Sequence, residues 1–288
     1  MIGIIGGTGL YAVEGIRLLR QVLPQTAWGS PSDHITIAEV DTKNGPVEAA
    51  FLPRHGKGHR ILPSQIPVKA NMAALKMLGV NQIIAFSAVG SLKEEIEPTH
   101  FVIPDQIIDR TRHREDTFYG DGIVAHVSFG DPFCTHLAKI SASVLERLDI
   151  TYHENETLIC MEGPAFSTRA ESRLYKSWQA GIINMSVLPE AKLARELEMC
   201  YQMICMSTDY DSWRTSDEAI TTEEIMKVVH HNSEMAAKSI AKMISAIHEN
   251  PESSCGCQSA MKNAIITAPE VRPDEIRKKL NTVLPGYF

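Results

Sequence analysis

Ile2-Gly3-Ile4-Ile5-Gly6-Gly7-Thr8-Gly9 opens the chain, and how this stretch divides decides the fold. Residues 2–5 read as a short buried strand, and the glycines from Gly6 to Gly9 follow it directly as a turn. The stretch has no basic n-region, and its glycines interrupt the apolar run, so it is neither a signal peptide nor an anchor. No later apolar run approaches the roughly 20 residues that span a bilayer. A cytoplasmic protein with no membrane partner is expected.

Outward from this stretch, further strands are expected at 34–40, 47–52, 82–87, 101–108, 157–161, 182–185 and 201–207. Helical patterns lie between several of them, at 68–78, 134–148, 170–180, 190–197 and 222–247, and a last helix is expected at about 274–280. This alternation predicts an α/β fold, a central mixed twisted sheet surrounded by helices. The 288 residues fit a single domain, with a less regular C-terminal tail from about residue 249. Apolar residues at 44% are enough for a sizeable core. With 28 Lys+Arg against 35 Asp+Glu, the net charge of −7 argues against a nucleic-acid partner. Of the cysteines, 134, 160, 200 and 205 lie in apolar stretches that read as core. Cys255-Gly256-Cys257 sits in a polar stretch and lacks the CxxC spacing of zinc sites, which favours a structural or incidental role.

In such sheets, ligand-binding residues gather in the loops beyond strand ends. The first loop offers backbone N–H groups and the Thr8 hydroxyl, the makings of an anion cradle. Gly7-Thr8-Gly9-Leu10-Tyr11-Ala12 also satisfies a loose GxGxxA pattern, so a nicotinamide-dependent oxidoreductase stands as an alternative. Against it, residues 11–24 carry Gly15 and Pro24 and make a poor crossover helix. Arg54-His55 follows another strand and supplies a planar donor and an imidazole, suited to a tetrahedral oxyanion or to a plain surface role. His55 and His59 are separated by glycines that forbid the helix a metal pair would need, so no metal is expected. With Ser87 and Ser186 also at strand ends, free phosphate is the economical ligand. Asp209 and Asp211 stand two apart, on one face if the segment is extended. Their repulsion would raise one pKa, leaving one carboxyl protonated and one ionised, a match for the N7 and exocyclic amino group of an aminopurine. A solvated acidic turn, or a pair capping the next helix, is the competing reading.

Together, Ile4-Ile5-Gly6-Gly7-Thr8-Gly9-Leu10, Arg54-His55-Gly56, the stretch Glu162-Gly163-Pro164-Ala165-Phe166-Ser167-Thr168-Arg169-Ala170-Glu171-Ser172, Asn184-Met185-Ser186 and Ser207-Thr208-Asp209-Tyr210-Asp211-Ser212-Trp213 resemble the trimeric purine nucleoside phosphorylases. Within that family the chain is most similar to the members that cleave S-methyl-5'-thioadenosine. The resemblance implies phosphorolysis: inorganic phosphate, a co-substrate and not a cofactor, attacks C1' and releases adenine and 5-methylthioribose 1-phosphate. Methylthioinosine or a broader range of purine nucleosides is the alternative within the same chemistry.

By the same resemblance, phosphate is held by Thr8, Arg54, His55, Ser87, the Ala88 backbone and Ser186. Met185 backs the ribose, the base rests near Phe166 and Ser167, and Asp209 and Asp211 face the purine edge, with Asp209 donating the proton to N7. His126 matches a residue lent by a neighbouring subunit to the 5' pocket of a homotrimer, and Val283 or Leu284 matches an apolar contact from the tail. Three positions depart from the family pattern. Ser186 replaces a common threonine and Val89 a common cysteine, while Thr222 stands where valine borders the 5' substituent, so its hydroxyl would favour a 5'-OH.

Overall fold

The computed structural model describes residues 1–6, 15–214, 222–251 and 255–288, with the side chains of 222–225 outside that set. Thr8 and the side chain of Thr222 therefore lie outside the described residues. Strand β1 (Ile2–Gly6) is buried throughout and lies parallel between β4 (Val47–Pro53) and β5 (Gln82–Ser91). Its near-continuous apolar run is what a strand covered on both faces requires. Ile5 packs into one core cluster and Ile2 and Ile4 into another, as alternation across a sheet dictates. Gly3 is needed for close approach, because a Cβ there would sit 2.9 Å from Val80 Cγ1.

Helices α1 (Val68–Met77) and α4 (Val187–Glu196) cover the first of these faces, and α2 (Thr135–Arg147) and α5 (Thr222–Glu249) the second. The full sheet adds β2 (Ile16–Val22), β3 (Ile35–Val40), β6 (Phe101–Arg110), β7 (Tyr152–Met161), β8 (Ile182–Asn184) and β9 (Cys200–Tyr210), in the order β2-β3-β4-β1-β5-β8-β7-β6-β9. Strand β9 also pairs with β5 in parallel, so β5, β8, β7, β6 and β9 close into a ring at one end of an otherwise open sheet. That closure brings the ends of β5, β8 and β9 together, since Gly90 pairs with both Ile183 and Asp209.

Strand β2 was not anticipated. It is an edge strand antiparallel to β3, mostly exposed on both sides, held to β3 by Arg17–Glu39 and reaching past it to Glu48 of β4 through Arg20 at 2.9 Å. Only residues 7–15 separate it from β1, fewer than the dozen or so that a parallel crossover needs. A dinucleotide-binding βαβ unit therefore does not start here, which overturns the GxGxxA alternative. The tail is short helical turns and α6 (Asp274–Asn281), yet Met261, Ala264, Leu280, Val283 and Leu284 from it are buried in the first core cluster. Among the described residues, no helix is long and apolar enough to cross a membrane.

Candidate active site

Arg54 follows β4 and is 2% exposed, so the plain surface role is excluded. Its Nε and one terminal nitrogen grip Glu190 of α4, the latter at 2.9 Å, and its other terminal nitrogen donates to the Phe86 carbonyl at 2.9 Å. Tyr201 closes the group by donating to Glu190 at 2.8 Å. Burial works to lower the Arg54 pKa, and the Glu190 charge and hydrogen bonds outweigh it and raise the value, so the guanidinium stays charged. Three of its five N–H groups are committed to Glu190 and Phe86. Glu190 was not singled out from the sequence. Its signal was a carboxylate on the buried face of a helix, which must find a partner.

The Arg54–Phe86 contact leads straight to Ser87, whose Oγ lies 3.0 Å from Ser186 Oγ. Asn184, at the end of β8, donates to both hydroxyls at 3.2 and 3.4 Å, while its carbonyl oxygen accepts from the Ser186 and Val187 amides at 3.4 and 3.5 Å. One buried amide thus aims the Ser87 hydroxyl of β5 and the Ser186 hydroxyl at the start of α4 at one place. Ala88, beside them, is exposed on the strand, and its carbonyl accepts from Ser87 Oγ at 3.0 Å.

His55 lies half-buried after Arg54, stacked on His59 at 4.1 Å between ring centroids, with Nδ1 2.8 Å from the Ile61 carbonyl. Burial leads, with the charge of Arg54 assisting, in pulling its pKa down to about 4. At neutral pH the ring is uncharged, its Nδ1–H donates to Ile61, and Nε2 is left as an acceptor. Such a ring can accept a hydrogen bond and supplies no positive charge.

Asp209 lies within β9, whereas the sequence reading ended the strand at residue 207. A bulge explains the difference: Val89 pairs with Ser207 and Gly90 with Asp209, so Thr208 is extra and its hydroxyl reaches the Val89 carbonyl at 3.2 Å. Thr208 also donates to Asp209 at 2.7 Å. The Asp209 pKa is raised, chiefly by burial and in smaller part by Asp211, so desolvation leads where mutual repulsion was expected. Asp211 is 6% exposed, and its Oδ2 is buried without a hydrogen-bond partner among the described residues. An acceptor left open in this way suits an incoming donor and excludes the solvated-turn reading.

The loop before α3 (Arg169–Ser177) borders this turn, since Ser212 Oγ donates to the Ser167 carbonyl at 2.8 Å. Phe166, next to it, is 82% exposed. A capping box starts α3, with the Glu171 amide on Thr168 Oγ1 at 3.2 Å and the Thr168 amide on Glu171 at 2.8 Å. Below the loop, buried Arg114 donates to the carbonyls of Met185, Leu188, Met161 and Glu162 at 2.6, 2.6, 3.2 and 2.7 Å. It thereby sets the Met185 backbone against the end of β7. Gly163, with φ +73°, packs so closely on Met185 that a Cβ would meet its sulfur at 2.6 Å.

Arg54, Ser87, Ser186, Asp209 and Asp211 are thus tied to one another through β5, and the Phe166–Ser167 loop joins them through Ser212. Two readings fall elsewhere. His126 is exposed, and its amide donates to the Ala264 carbonyl at 2.8 Å, so it rides on the tail. Val283 is 1% exposed in this chain's own core, and Leu284 is 2%, so neither borders the strand ends of the site as a surface contact.

A model of the phosphorylase superfamily matches residues 1–245. The chain belongs to the phosphorylase superfamily. It is 44% identical over 288 residues to S-methyl-5'-thioadenosine phosphorylase of Geobacter sulfurreducens, covering all of this chain and 99% of that one. It is 48% identical to the enzyme of the same name from Candida albicans, covering 100% and 88%. Among solved structures, a methylthioadenosine phosphorylase from an antarctic soil metagenomic library superposes with a TM-score of 0.92 at 43% identity, covering 99% of this chain and 98% of that one. A methylthioadenosine phosphorylase from Schistosoma mansoni in complex with adenine gives 0.77 at 31% identity, covering 95% and 99%.

Proposed function

We propose that this chain catalyses phosphorolysis of S-methyl-5'-thioadenosine to adenine and 5-methylthioribose 1-phosphate, as a cytoplasmic homotrimer without metal or cofactor in the reaction. The observation that carries the reading is the single ladder of β5 and β9, which sets the Ser87 hydroxyl and the Asp209 carboxyl on neighbouring strands at the same end of the sheet. Cleaving an N-glycosidic bond builds positive charge on the sugar and negative charge on the base. An oxyanion is therefore required at C1' and an acid at the purine. Arg54, Ser87, Ser186 and neutral His55 supply donors and an acceptor for hydrogen phosphate, with Thr8 and the Ala88 backbone completing the cradle. Asp209, whose pKa burial raises, gives its proton to N7, and the Asp211 side chain accepts from the exocyclic amino group.

Met185 backs the ribose, and Phe166 and Ser167 border the base. His126, riding on the tail, is offered to the 5' pocket of a neighbouring subunit, and Thr222 borders the 5' substituent. The relatives' names support the methylthio substrate. The test is a side-by-side assay of methylthioadenosine, adenosine and methylthioinosine with inorganic phosphate, following base release. Phosphate-dependent adenine release that is fastest from methylthioadenosine is expected. Equal or faster cleavage of the 6-oxopurine would defeat the Asp211 assignment, and release without phosphate would defeat the reaction.

A further inference from the structure

Cys134, Cys200, Cys255 and Cys257 come from three distant segments: the residue before α2, the first residue of β9 and the turn after α5. Their sulfurs all lie within 4.8 Å of one another. Cys255 Sγ is 3.5 Å from Cys134 Sγ and 3.4 Å from Cys200 Sγ. A disulfide holds its sulfurs about 2.05 Å apart, so this is a quartet of thiols and not two bonded pairs. A tetrahedral zinc with thiolates at about 2.3 Å spaces its sulfurs about 3.8 Å apart. The quartet already stands close to that spacing.

Three of the four are buried and Cys255 is partly so, all against the second core cluster, which offers aliphatic side chains. The Cys134 amide donates to the Tyr201 carbonyl at 2.9 Å, which fixes the start of α2 against β9 and holds two of the ligands in register. Cys160 and Cys205 are buried too, yet both stand outside the quartet, so the convergence is not a by-product of a cysteine-rich core.

We infer that Cys134, Cys200, Cys255 and Cys257 bind one structural zinc ion as a tetrathiolate site, separate from the phosphorolysis chemistry. Each thiol releases its proton to solvent as its sulfur ligates, with no change in oxidation state. Four sulfur ligands leave no open coordination position, so the ion takes no part in catalysis. It sits at the start of β9, the strand whose far end carries Asp209. Its place in the fold is that of a staple: it binds the chain leaving α5 to the α2–β9 junction, just before the tail returns to the first core cluster at Met261.

The test begins with the full chain purified without chelators from zinc-supplied cells and analysed for metals. About one zinc per chain is expected, released in step with titration of the thiols by a mercurial. Replacement with cobalt(II) should give the intense thiolate charge-transfer absorption of a tetrahedral sulfur site. The double variant Cys255→Ser/Cys257→Ser should lose the metal and the cobalt spectrum, while Cys160→Ser/Cys205→Ser keeps both. A strong chelator should lower the melting temperature of the wild type and leave that of the zinc-free variant unmoved. The inference is overturned if the wild type carries no zinc and takes up no cobalt with all 6 cysteines titrating as thiols, or if thiols appear only after reduction, which would mark disulfides. Both readings use the wild type alone and stand even if the variant fails to fold.

Discussion

Two demands on Asp209, stability and activity, meet in its protonation. Burial raises its pKa above that of the unfolded chain, so between the two values the native state holds a proton that the unfolded state has lost. Stability from this group is present below the unfolded pKa and falls as the pH rises through the folded one. Activity that needs the proton falls over the same rise. Asp209→Asn keeps the shape and removes the titration. It should lower kcat/KM for methylthioadenosine by about 10²- to 10³-fold and narrow the gap to methylthioinosine. It should also flatten the alkaline limb of the pH profile and raise the melting temperature at neutral pH. An unchanged preference ratio would remove Asp209 from the purine edge. The part Asn184 plays is legible only after the fold is known, because it lies in the hydrogen bonds that hold the Ser87 and Ser186 hydroxyls. Asn184→Ala should raise the KM for phosphate about tenfold, the loss of roughly one to two hydrogen bonds, with kcat largely recovered at saturating phosphate; a phosphate saturation series checks it.

Among the elements, the clamp made by Arg114 ties three of them: the ends of β7 and β8 and the first turn of α4. A buried guanidinium on four carbonyls is worth more than any surface ion pair, and Arg114→Ala should cost at least about 3 kcal/mol. Denaturant unfolding measures it; a loss below 1 kcal/mol or so, the surface ion-pair range, would mean that the carbonyls find water without penalty. Strands β1, β3 and β4 were legible because they are short, rich in apolar residues and bounded by turns. Strand β2 was not, because exposure on both faces leaves no period of two to detect. Strands β5 and β9 were read as ending early, at the small and polar residues 88–91 and 208–210, which look like turns. They continue because each is the other's partner, a tertiary fact with no local signal. For the same reason the sequence placed Asp209 at the right end of the right strand but gave burial no part in tuning it.

For the whole molecule, the α/β class and the helical cover follow from alternation of periodicities, while the ring of five strands does not, since closure depends on which strands meet and not on what each contains. The charge pairs Arg54–Glu190 and the sulfur quartet were invisible for the same reason, their members being separated by long stretches of chain. Oligomerisation belongs at this scale. If His126 of one subunit completes the 5' pocket of the next, specific activity should fall as the protein is diluted below the trimer's dissociation constant. Sedimentation velocity should show the trimer dissociating over the same concentrations. His126→Ala should then raise the KM for methylthioadenosine and leave the KM for phosphate unchanged. Constant specific activity through dissociation would make each subunit self-sufficient.

The pairing of Gly90 with both Ile183 and Asp209 has a bearing on how substrate preference could be redesigned. If Ser87 and Asp209 serve as phosphate cradle and proton donor, their places on one β5–β9 ladder set the gauge between them, and moving either by a single rung would displace it by about 3.3 Å and silence the reaction. Changes in which nucleoside is accepted would then be sought outside the ladder, in the capped loop at 163–168, whose exchange leaves the β5–β9 pairing intact.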